Sequence, residues 1–309
     1  MTTATQTTSY KTCSRCHGTL QATTDNFRWL PGRALFDTYC LDCRRDYNRE
    51  HRAANRATRR ANQATRRFGV EVEFKGSKYN AEQELNRAGI TAHQEGYGHS
   101  TPVNWKLVDD GSLSGYENGE LVSPVLTTTE DLRKVGKALS AAGVRTDKEC
   151  GLHVHIDARD LTLEQYLNVV RLYAANETLI DTMIAKSRRG SNASYARTNI
   201  GQDLSGYAHL SDLPGAGQSN SRYRKVNITA YSRHQTIEFR QHQGTISGAK
   251  IEAWVNFLQG LVAQAIAGNT TAYATRDEML DAFGQGSAKA YWTQRANTLQ
   301  GQASTYGSW

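Results

Sequence analysis

Three short segments of this chain alternate apolar and polar residues with the period of two that predicts a β-strand with one buried face. They are Phe68–Phe74, Gly151–Asp157 and Thr236–His242. Large apolar residues take every second position, and charged or imidazole side chains take the positions between them. A strand whose polar face met only water would more often carry Thr, Lys or Ser there. We therefore expect the three polar faces to form a shared site.

The polar positions of these segments hold carboxylates, imidazoles and one guanidinium. They are Glu71 and Glu73 in the first segment, His153, His155 and Asp157 in the second, and Glu238, Arg240 and His242 in the third. In one antiparallel sheet, the apolar faces would pack on helices and the opposite face would gather the polar groups. Each pattern alone also fits a solvated sheet face or a surface ion pair. Their repetition favours a site for divalent cations and phosphate.

The other periodic segments predict helices mixed with strands, and hence an α+β fold. Helices are predicted at Asn80–Ala88, Thr129–Ala142, from a capping box at Thr162 to about Lys186, and at Ser247–Ala267; further strands are predicted at Asn104–Asp109 and Gly119–Ser123. Residues 187–221 are rich in Ser, Gly and Asn and lack apolar periodicity. A long irregular stretch of this kind is usually a functional loop, and we expect it to act as a lid.

Length and composition predict one large soluble domain and a small module. The chain has 309 residues, of which 38% are hydrophobic and 22% charged, in the range of globular proteins. No apolar run reaches the roughly 18 residues of a membrane span. The Thr-rich start, Met1–Tyr10, lacks the apolar segment of a signal peptide. These features predict a cytoplasmic protein.

Four of the five cysteines form two C-x-x-C pairs, Cys13 with Cys16 and Cys40 with Cys43. Two such pairs at this separation predict a tetrahedral Zn²⁺ site, and the alternative is four unrelated buried cysteines. The stretch between the pairs is long enough for a small hairpin. The fifth cysteine, Cys150, is expected to be a packed residue.

The basic charge of the chain is concentrated in residues 44–67. This segment holds nine arginines and two acidic residues, so it accounts for the whole net charge of +7. It is predicted to be a helix that is polar on all sides, which either links two domains through solvent or lies on a charged partner. Nine arginines would bind nucleic acid in a salt-sensitive manner with little sequence preference. A solvated linker helix is the alternative.

Four motifs together resemble the amidoligase family. They are Phe68–Phe74, Glu120–Pro124, Cys150–His155 and Ile237–Thr245, in the expected order, and the resemblance covers about residues 66–265. That family is common in phages and is similar to glutamine synthetase and the glutamate–cysteine ligases. The resemblance implies a curved antiparallel sheet with helices packed on one face. It also implies that the sheet holds ATP and two or three Mg²⁺ (or Mn²⁺) ions.

The resemblance implies two metal sites on this sheet. Glu71, His153 and Glu238 would bind the metal ion that bridges the nucleotide phosphates. Glu73 and Glu120 would bind the metal ion nearer to the carboxylate substrate.

The same resemblance implies catalytic roles for basic residues. Arg240 would contact the transferred phosphate, and either Arg222 or Arg224 would be a second phosphate-binding arginine. His155 would lie near the phosphates. The family pattern places another carboxylate close to Glu120, and Glu117 is the nearest candidate in the sequence.

The N-terminal cysteines followed by a basic helix resemble the treble-clef modules of phage endonucleases, although no His-Asn-His nuclease motif follows them. We expect a disordered tail at residues 1–12, a Cys₄ zinc module at 13–43, a basic linker helix at 44–67, an amidoligase-like catalytic domain at 68–300 and a tail at 301–309.

The expected function is an ATP-dependent carboxylate–amine ligase that forms an amide through an acyl phosphate and is brought to nucleic acid by its zinc module. The alternative is a non-catalytic nucleic-acid-binding or structural phage protein that retains a ligase fold. A nuclease is a third, weaker hypothesis, because no nuclease motif is present. A phage-encoded chain would act in the host cytoplasm.

Overall fold

The computed structural model describes residues 9–48, 66–96, 98, 100–190, 193–215, 220–286 and 288–305. The chain divides into two compact units, Met1–Gln63 and Ala64–Trp309. The centre of the predicted basic helix, residues 49–65, lies outside the described residues. Among the helices in the described ranges, none combines the length and the apolar character needed to cross a membrane.

The smaller unit contains two antiparallel hairpins and the start of a helix. Its elements are β1 (Tyr10–Thr12) paired with β2 (Thr19–Gln21), β3 (Phe27–Leu30) paired with β4 (Leu35–Cys40), and α1, which is helical over residues 41–48. The β3–β4 hairpin confirms the one predicted between the cysteine pairs. Two boundaries differ from expectation, because β1 starts within the predicted tail and α1 begins at residue 41 rather than 44.

The larger unit is built from seven strands and seven helices within the described residues. The strands are β5 (Phe68–Lys75), β6 (Ala92–Gln94), β7 (Trp105–Val108), β8 (Asn118–Val122), β9 (Gly151–Asp157), β10 (Val226–Asn227) and β11 (Thr236–Gln243). The helices are α2 (Lys78–Arg87), α3 (Leu132–Ala141), α4 (Leu163–Asp181), α5 (Ala230–His234), α6 (Gly248–Ile266), α7 (Arg276–Phe283) and α8 (Ala288–Thr305). Helix α8 thus extends into the predicted C-terminal tail.

The seven strands form one mixed sheet in the order β10-β11-β9-β5-β8-β7-β6. Neighbouring strands are antiparallel except β6 and β7, which are parallel. The prediction of a wholly antiparallel sheet is therefore wrong at this edge. The chain between β6 and β7 returns to the same end of the sheet before β7 begins, which a tight hairpin cannot do.

One face of the sheet and the helices share a single apolar core. Val72, Leu152 and Phe239 from the central strands belong to the same buried cluster as Trp254 and Leu258 of α6. The alternation predicted from the sequence is what directs these side chains to one face. The polar residues between them therefore lie on the opposite face.

Close contact between α3 and α6 depends on two glycines. A Cβ atom added to Gly136 would lie 2.3 Å from the backbone nitrogen of Gly248. A Cβ atom added to Gly248 would lie 2.2 Å from the carbonyl oxygen of Leu132. Because real Cβ atoms do not approach this closely, both positions require glycine for the helices to pack as they do.

A β-bulge in β11 overturns one sequence expectation. The register between β11 and β9 shifts between Phe239 and His242, so both residues lie on the core face. His242 is fully buried and lies against the rings of Trp254 and Trp292, with centroids 5.4 and 5.8 Å away. Burial lowers the pKa of His242 to about 3. The prediction that His242 belongs to the polar face is therefore wrong.

The long loop predicted at residues 187–221 is partly held by buried hydrogen bonds in its described portion, 193–215. The backbone nitrogen of Asn199 donates to Glu177 Oε2 over 2.9 Å, and its side chain exchanges hydrogen bonds with the backbone of Val226. Lys225 pairs with Glu177 and Asp181 at 2.8 and 2.7 Å. This part of the loop is anchored to α4 and β10 rather than structureless.

Candidate active site and metal centres

Four neighbouring strands, β11, β9, β5 and β8, bring acidic and imidazole side chains to one face of the larger sheet. Residues that pair directly across two strands share a face. The register does this three times: Glu71 with His153, Glu73 with Glu120, and Glu238 with His155. Because Glu71 and Glu73 lie two residues apart on β5, they join the pairs into one group.

Two histidines lie between two carboxylates on one side of this group. His153 Nδ1 is 3.1 Å from Glu71 Oε2 and 3.8 Å from Glu238 Oε1. His155 Nε2 is 3.4 Å from Glu71 Oε1 and 3.9 Å from Glu238 Oε1. Ligand atoms of Glu71, His155 and Glu238 all lie within 4.8 Å of one another, close enough to bind one divalent cation.

Three carboxylates form a second group on the other side. Oxygens of Glu73, Asp110 and Glu120 lie within 4.8 Å of one another. Asp110 takes the place for which the sequence offered Glu117, which has no place in this group. The signal for Asp110 was in its position, since Val108 pairs with Glu120 across β7 and β8 and Asp110 follows two residues later.

Arg240 is held beside the carboxylates by β11. Its Nη1 atom lies 2.5 Å from Glu238 Oε1, and its Nε donates to the carbonyl oxygen of Tyr195 over 3.4 Å. The other oxygen of Glu238 accepts a hydrogen bond of 2.5 Å from Asn227 Nδ2. Burial would lower the pKa of Arg240, but the charge of Glu238 raises it, so the guanidinium stays ionised.

The two other arginines proposed from the sequence do not meet this group within the described residues. Arg222 is exposed and lies over the ring of Tyr223 at 5.1 Å. Arg224 donates from Nη1 to the carbonyl oxygen of Thr198, and its backbone forms a bridge with Arg197. A role for either arginine in binding phosphate stays a prediction.

The two histidines stabilise the charge of the buried carboxylate between them. Burial alone would raise the pKa of Glu71, but His155 and His153 hold it well below its usual range. Burial would likewise lower the pKa of His155, and the charges of Glu71 and Glu238 raise it instead. This half of the site therefore carries charges that compensate one another.

The other half of the site lacks compensating charge. Burial raises the pKa of Glu120 well above its usual range, and the negative charges of Glu71, Glu73 and Asp110 raise it further. Several buried carboxylates without a counter-ion are costly unless a cation binds among them. Oxygen ligands of this kind suit Mg²⁺ or Mn²⁺, so the donor set fits the metal ions that the sequence predicted.

A buried lysine fixes the loop that carries Asp110. Lys75 Nζ lies 2.7 Å from Glu149 Oε2 and also donates to the carbonyl oxygen of Ser114. The backbone nitrogen of Ser114 donates to Glu149 Oε2 over 3.0 Å. The hydrogen bond from Lys75 lowers the pKa of Glu149 to about 2. This cluster ties the loop between β7 and β8 to the end of β5.

A cleft of about 370 Å³ opens beside Glu71. Three cationic side chains line it, namely Arg67, Lys106 and Arg159. Asp157 pairs with both arginines, at 3.0 Å from Arg67 and 2.7 Å from Arg159. The cleft therefore joins a carboxylate-rich site to a surface that favours anions.

Comparison with known families agrees with this arrangement. The family described as "Putative amidoligase enzyme" matches residues 64–262, which hold every strand of the larger sheet. The chain belongs to the amidoligase family. No curated protein matches it.

Among solved structures, the amidoligase is similar to the crystal structure of a bifunctional glutathione synthetase from Pasteurella multocida. The TM-score is 0.37 and the sequence identity 12%. The match covers 82% of the amidoligase and 51% of that chain, so the amidoligase spans about half the length of the synthetase.

The smaller unit of the amidoligase brings its four N-terminal cysteines together. The Sγ atoms of Cys13, Cys16, Cys40 and Cys43 lie within 4.8 Å of one another, as four ligands of one tetrahedral Zn²⁺ would. Burial opposes ionisation of Cys13, but backbone N–H groups lower its pKa to about 6. Burial and the neighbouring thiols raise the pKa of Cys43 to about 12. The cluster fits the zinc ion that the sequence predicted.

The arginines of the predicted basic helix that the structure describes already have acidic partners. They are Arg44 with Asp37, Arg45 with Asp42, Arg66 with Asp160 and Arg67 with Asp157. Arg66 and Arg67 are not helical, since they lead into β5 of the amidoligase domain. The remaining five arginines of the segment lie outside the described residues.

The raised pKa of Glu120 predicts that metal binding depends on pH. Mg²⁺ must displace a proton from Glu120, so its affinity should fall as the pH is lowered through the raised pKa. Calorimetry in buffers of different ionisation enthalpy should detect proton release at neutral pH. Glu120→Gln should bind Mg²⁺ more weakly and release no proton, whereas the exposed control Glu164→Gln should match the wild type. Affinity independent of pH would contradict this assignment.

The cysteine cluster predicts a zinc ion bound by all four thiolates. Cys13→Ser and Cys40→Ser should each lose most of the zinc, because a serine hydroxyl is a poor ligand for it. Elemental analysis of the purified variants measures this loss. Cys150→Ser is the matched control and should keep its zinc, since Cys150 belongs to the other unit. Full zinc content in Cys40→Ser would show that the cluster is not the site.

Proposed function

We propose that the protein is an ATP- and Mg²⁺-dependent ligase that joins a carboxylate to an amine. The observation that carries the proposal is the convergence of Glu71, Glu73, Glu120 and Glu238 on one sheet face beside Arg240. Membership of the amidoligase family supports the reaction class. A set of buried carboxylates around one guanidinium suits a reaction in which metal-bound phosphate is transferred.

In this proposal, the two halves of the site hold the two ends of a phosphoryl transfer. Glu71, His153, His155 and Glu238 hold the cation on the nucleotide side, and the carboxylates around Glu73 hold the cation near the acid. Bound Mg²⁺ would neutralise the phosphate oxygens and lower the barrier to their transfer. The cationic cleft beside Glu71 would take the remainder of the nucleotide.

The chemistry divides one unfavourable step into two. A carboxylate oxygen of the acid attacks the terminal phosphorus of ATP, the bond to the bridging oxygen breaks, and ADP leaves. An amine nitrogen then attacks the acyl carbon, phosphate leaves with the bonding electron pair, and the nitrogen loses a proton. Arg240, oriented by Glu238, would bind the phosphate through both steps. The loop at 187–221 would exclude water from the mixed anhydride.

We further propose that residues 44–67 bring this activity to nucleic acid. The support is the charge of the segment, from which the ion pairs of Arg44, Arg45, Arg66 and Arg67 remove four arginines. Five arginines remain as candidates for phosphate contacts: Arg49, Arg52, Arg56, Arg59 and Arg60. Amidation of a modified base and modification of a nearby protein are both compatible with such targeting.

Mutation of the carboxylates tests the ligase proposal. Purified protein should release ADP when given ATP, Mg²⁺, an effective acid and an amine, and hydroxylamine should trap the activated acid as a hydroxamate. Glu71→Gln and Glu238→Gln should lower both signals about hundredfold or more, the scale seen when a group that stabilises the transition state is removed. The exposed control Glu164→Gln should be unaffected.

Two results would count against the ligase. Undiminished turnover in Glu71→Gln would remove this site from the reaction. Absence of Mg²⁺-dependent ATP binding by calorimetry would favour the non-catalytic alternative.

Salt dependence tests the nucleic-acid proposal. Binding of a labelled duplex, followed by fluorescence anisotropy, should weaken as salt rises, with a slope of about 0.9 for each phosphate contacted. Replacing Arg52, Arg56 and Arg59 together by glutamine should reduce that slope. The matched control replaces the exposed Arg87, Arg171 and Arg233 and should leave the slope unchanged. Equal slopes for the two triple variants would place the contact elsewhere.

A further inference from the structure

Arg188 is a buried cation for which the ligase reaction described above has no use. It ends the short turn Lys186–Arg188 that follows α4, and only 6% of its surface is exposed. Its Nη2 atom donates to the carbonyl oxygens of Glu149 and Cys150, over 2.8 and 2.6 Å. Among the residues that the structure describes, its Nε and Nη1 atoms have no partner, and no carboxylate lies within 4.0 Å of it.

The position of Arg188 places it at the acid-binding half of the site. The residue after Cys150 is Gly151, whose backbone nitrogen donates to Glu73 Oε2 over 2.5 Å. Arg188 and Glu73 therefore meet the same end of β9. Burial lowers the pKa of Arg188, the charge of Glu73 opposes this, and the charge of Arg240 adds to it. Two guanidinium groups thus act on the surroundings of Glu73, and only Arg240 has an acidic partner.

A buried guanidinium without a counter-ion is costly, because the backbone carbonyls supply dipoles but no charge. An anionic ligand would remove this cost, and the planar guanidinium is well suited to a carboxylate. The reacting carboxylate of the acid is already assigned to the cation near Glu73, and the phosphate to Arg240. What remains for Arg188 is a second anionic group on the acid.

We propose that Arg188 binds a second carboxylate of the acid substrate, so that the substrate is a dicarboxylate or an amino acid with an acidic side chain. This inference rests on the proposed ligase function, since it concerns the same site. Arg188 is then a specificity-determining residue. It holds the end of the acid that does not react and leaves the other carboxylate at Glu73.

The test compares diacids with monoacids of similar length. The full-length protein, with ATP and Mg²⁺, is given succinate, glutarate, adipate, aspartate and glutamate, and in parallel butyrate, valerate and hexanoate. Hydroxamate formation gives kcat and KM for each. We expect the effective substrates to be diacids. Arg188→Gln should raise KM for the best diacid about ten- to hundredfold, as expected for a lost charged hydrogen bond, with kcat little changed.

Two further variants separate recognition from structural support. Arg188→Lys keeps the charge and should recover part of the affinity. Arg189→Gln removes the neighbouring arginine, whose Nε donates to the carbonyl oxygen of Ile184, and should keep the wild-type preference. Thermal unfolding of each variant reports whether the fold is retained, and calorimetric titration of the best diacid measures binding without turnover.

The outcomes are distinct. A preference for diacids that disappears in Arg188→Gln supports the inference. Equal use of diacids and monoacids by the wild type overturns it, as does a loss in Arg188→Gln that affects kcat for all acids alike. ATP turnover that requires Glu71 but not Arg188 leaves the ligase proposal standing without this inference. Failure to bind ATP with Mg²⁺, together with diacid binding that needs Arg188, would instead reject the ligase.

Discussion

Mutual repulsion among buried carboxylates is the constraint around which the larger unit is organised. The central strands set Glu71, Glu73 and Glu120 on one face, while their apolar residues fix the same strands to the helices on the other. The core therefore holds together acidic groups that would separate if they were free. Histidines relieve one half of this repulsion, and the other half has only protonation or a bound cation to relieve it.

The sequence predicted the parts of the fold that depend on local pattern. Alternation located β5, β9 and β11, and the capping box at Thr162 is confirmed with Gln165 at the start of α4. Short elements such as β6, β10 and α5 carry too few residues for a period to be recognised. The parallel pairing of β6 with β7 could not be read either, since it depends on the path of the chain between them.

The candidate site was predictable to the same extent and for the same reason. Glu71, His153 and Glu238 follow from alternation within their own strands, whereas Asp110 joins the site only through the pairing of β7 with β8. His242 was misplaced because a bulge adds one residue to the strand and reverses the face that follows. Charge counting likewise overstated the basic segment, since a sequence does not reveal that Arg44 is paired with Asp37.

The surroundings of His242 also give this protein an optical property. A protonated histidine quenches a neighbouring indole, but His242 stays neutral down to a pH of about 3. The emission of Trp254 and Trp292 should therefore remain constant over the range in which the carboxylates of the site titrate. Trp29 of the smaller unit is about half exposed and should emit at longer wavelength. Intrinsic fluorescence thus distinguishes loss of the core from changes of charge in the site.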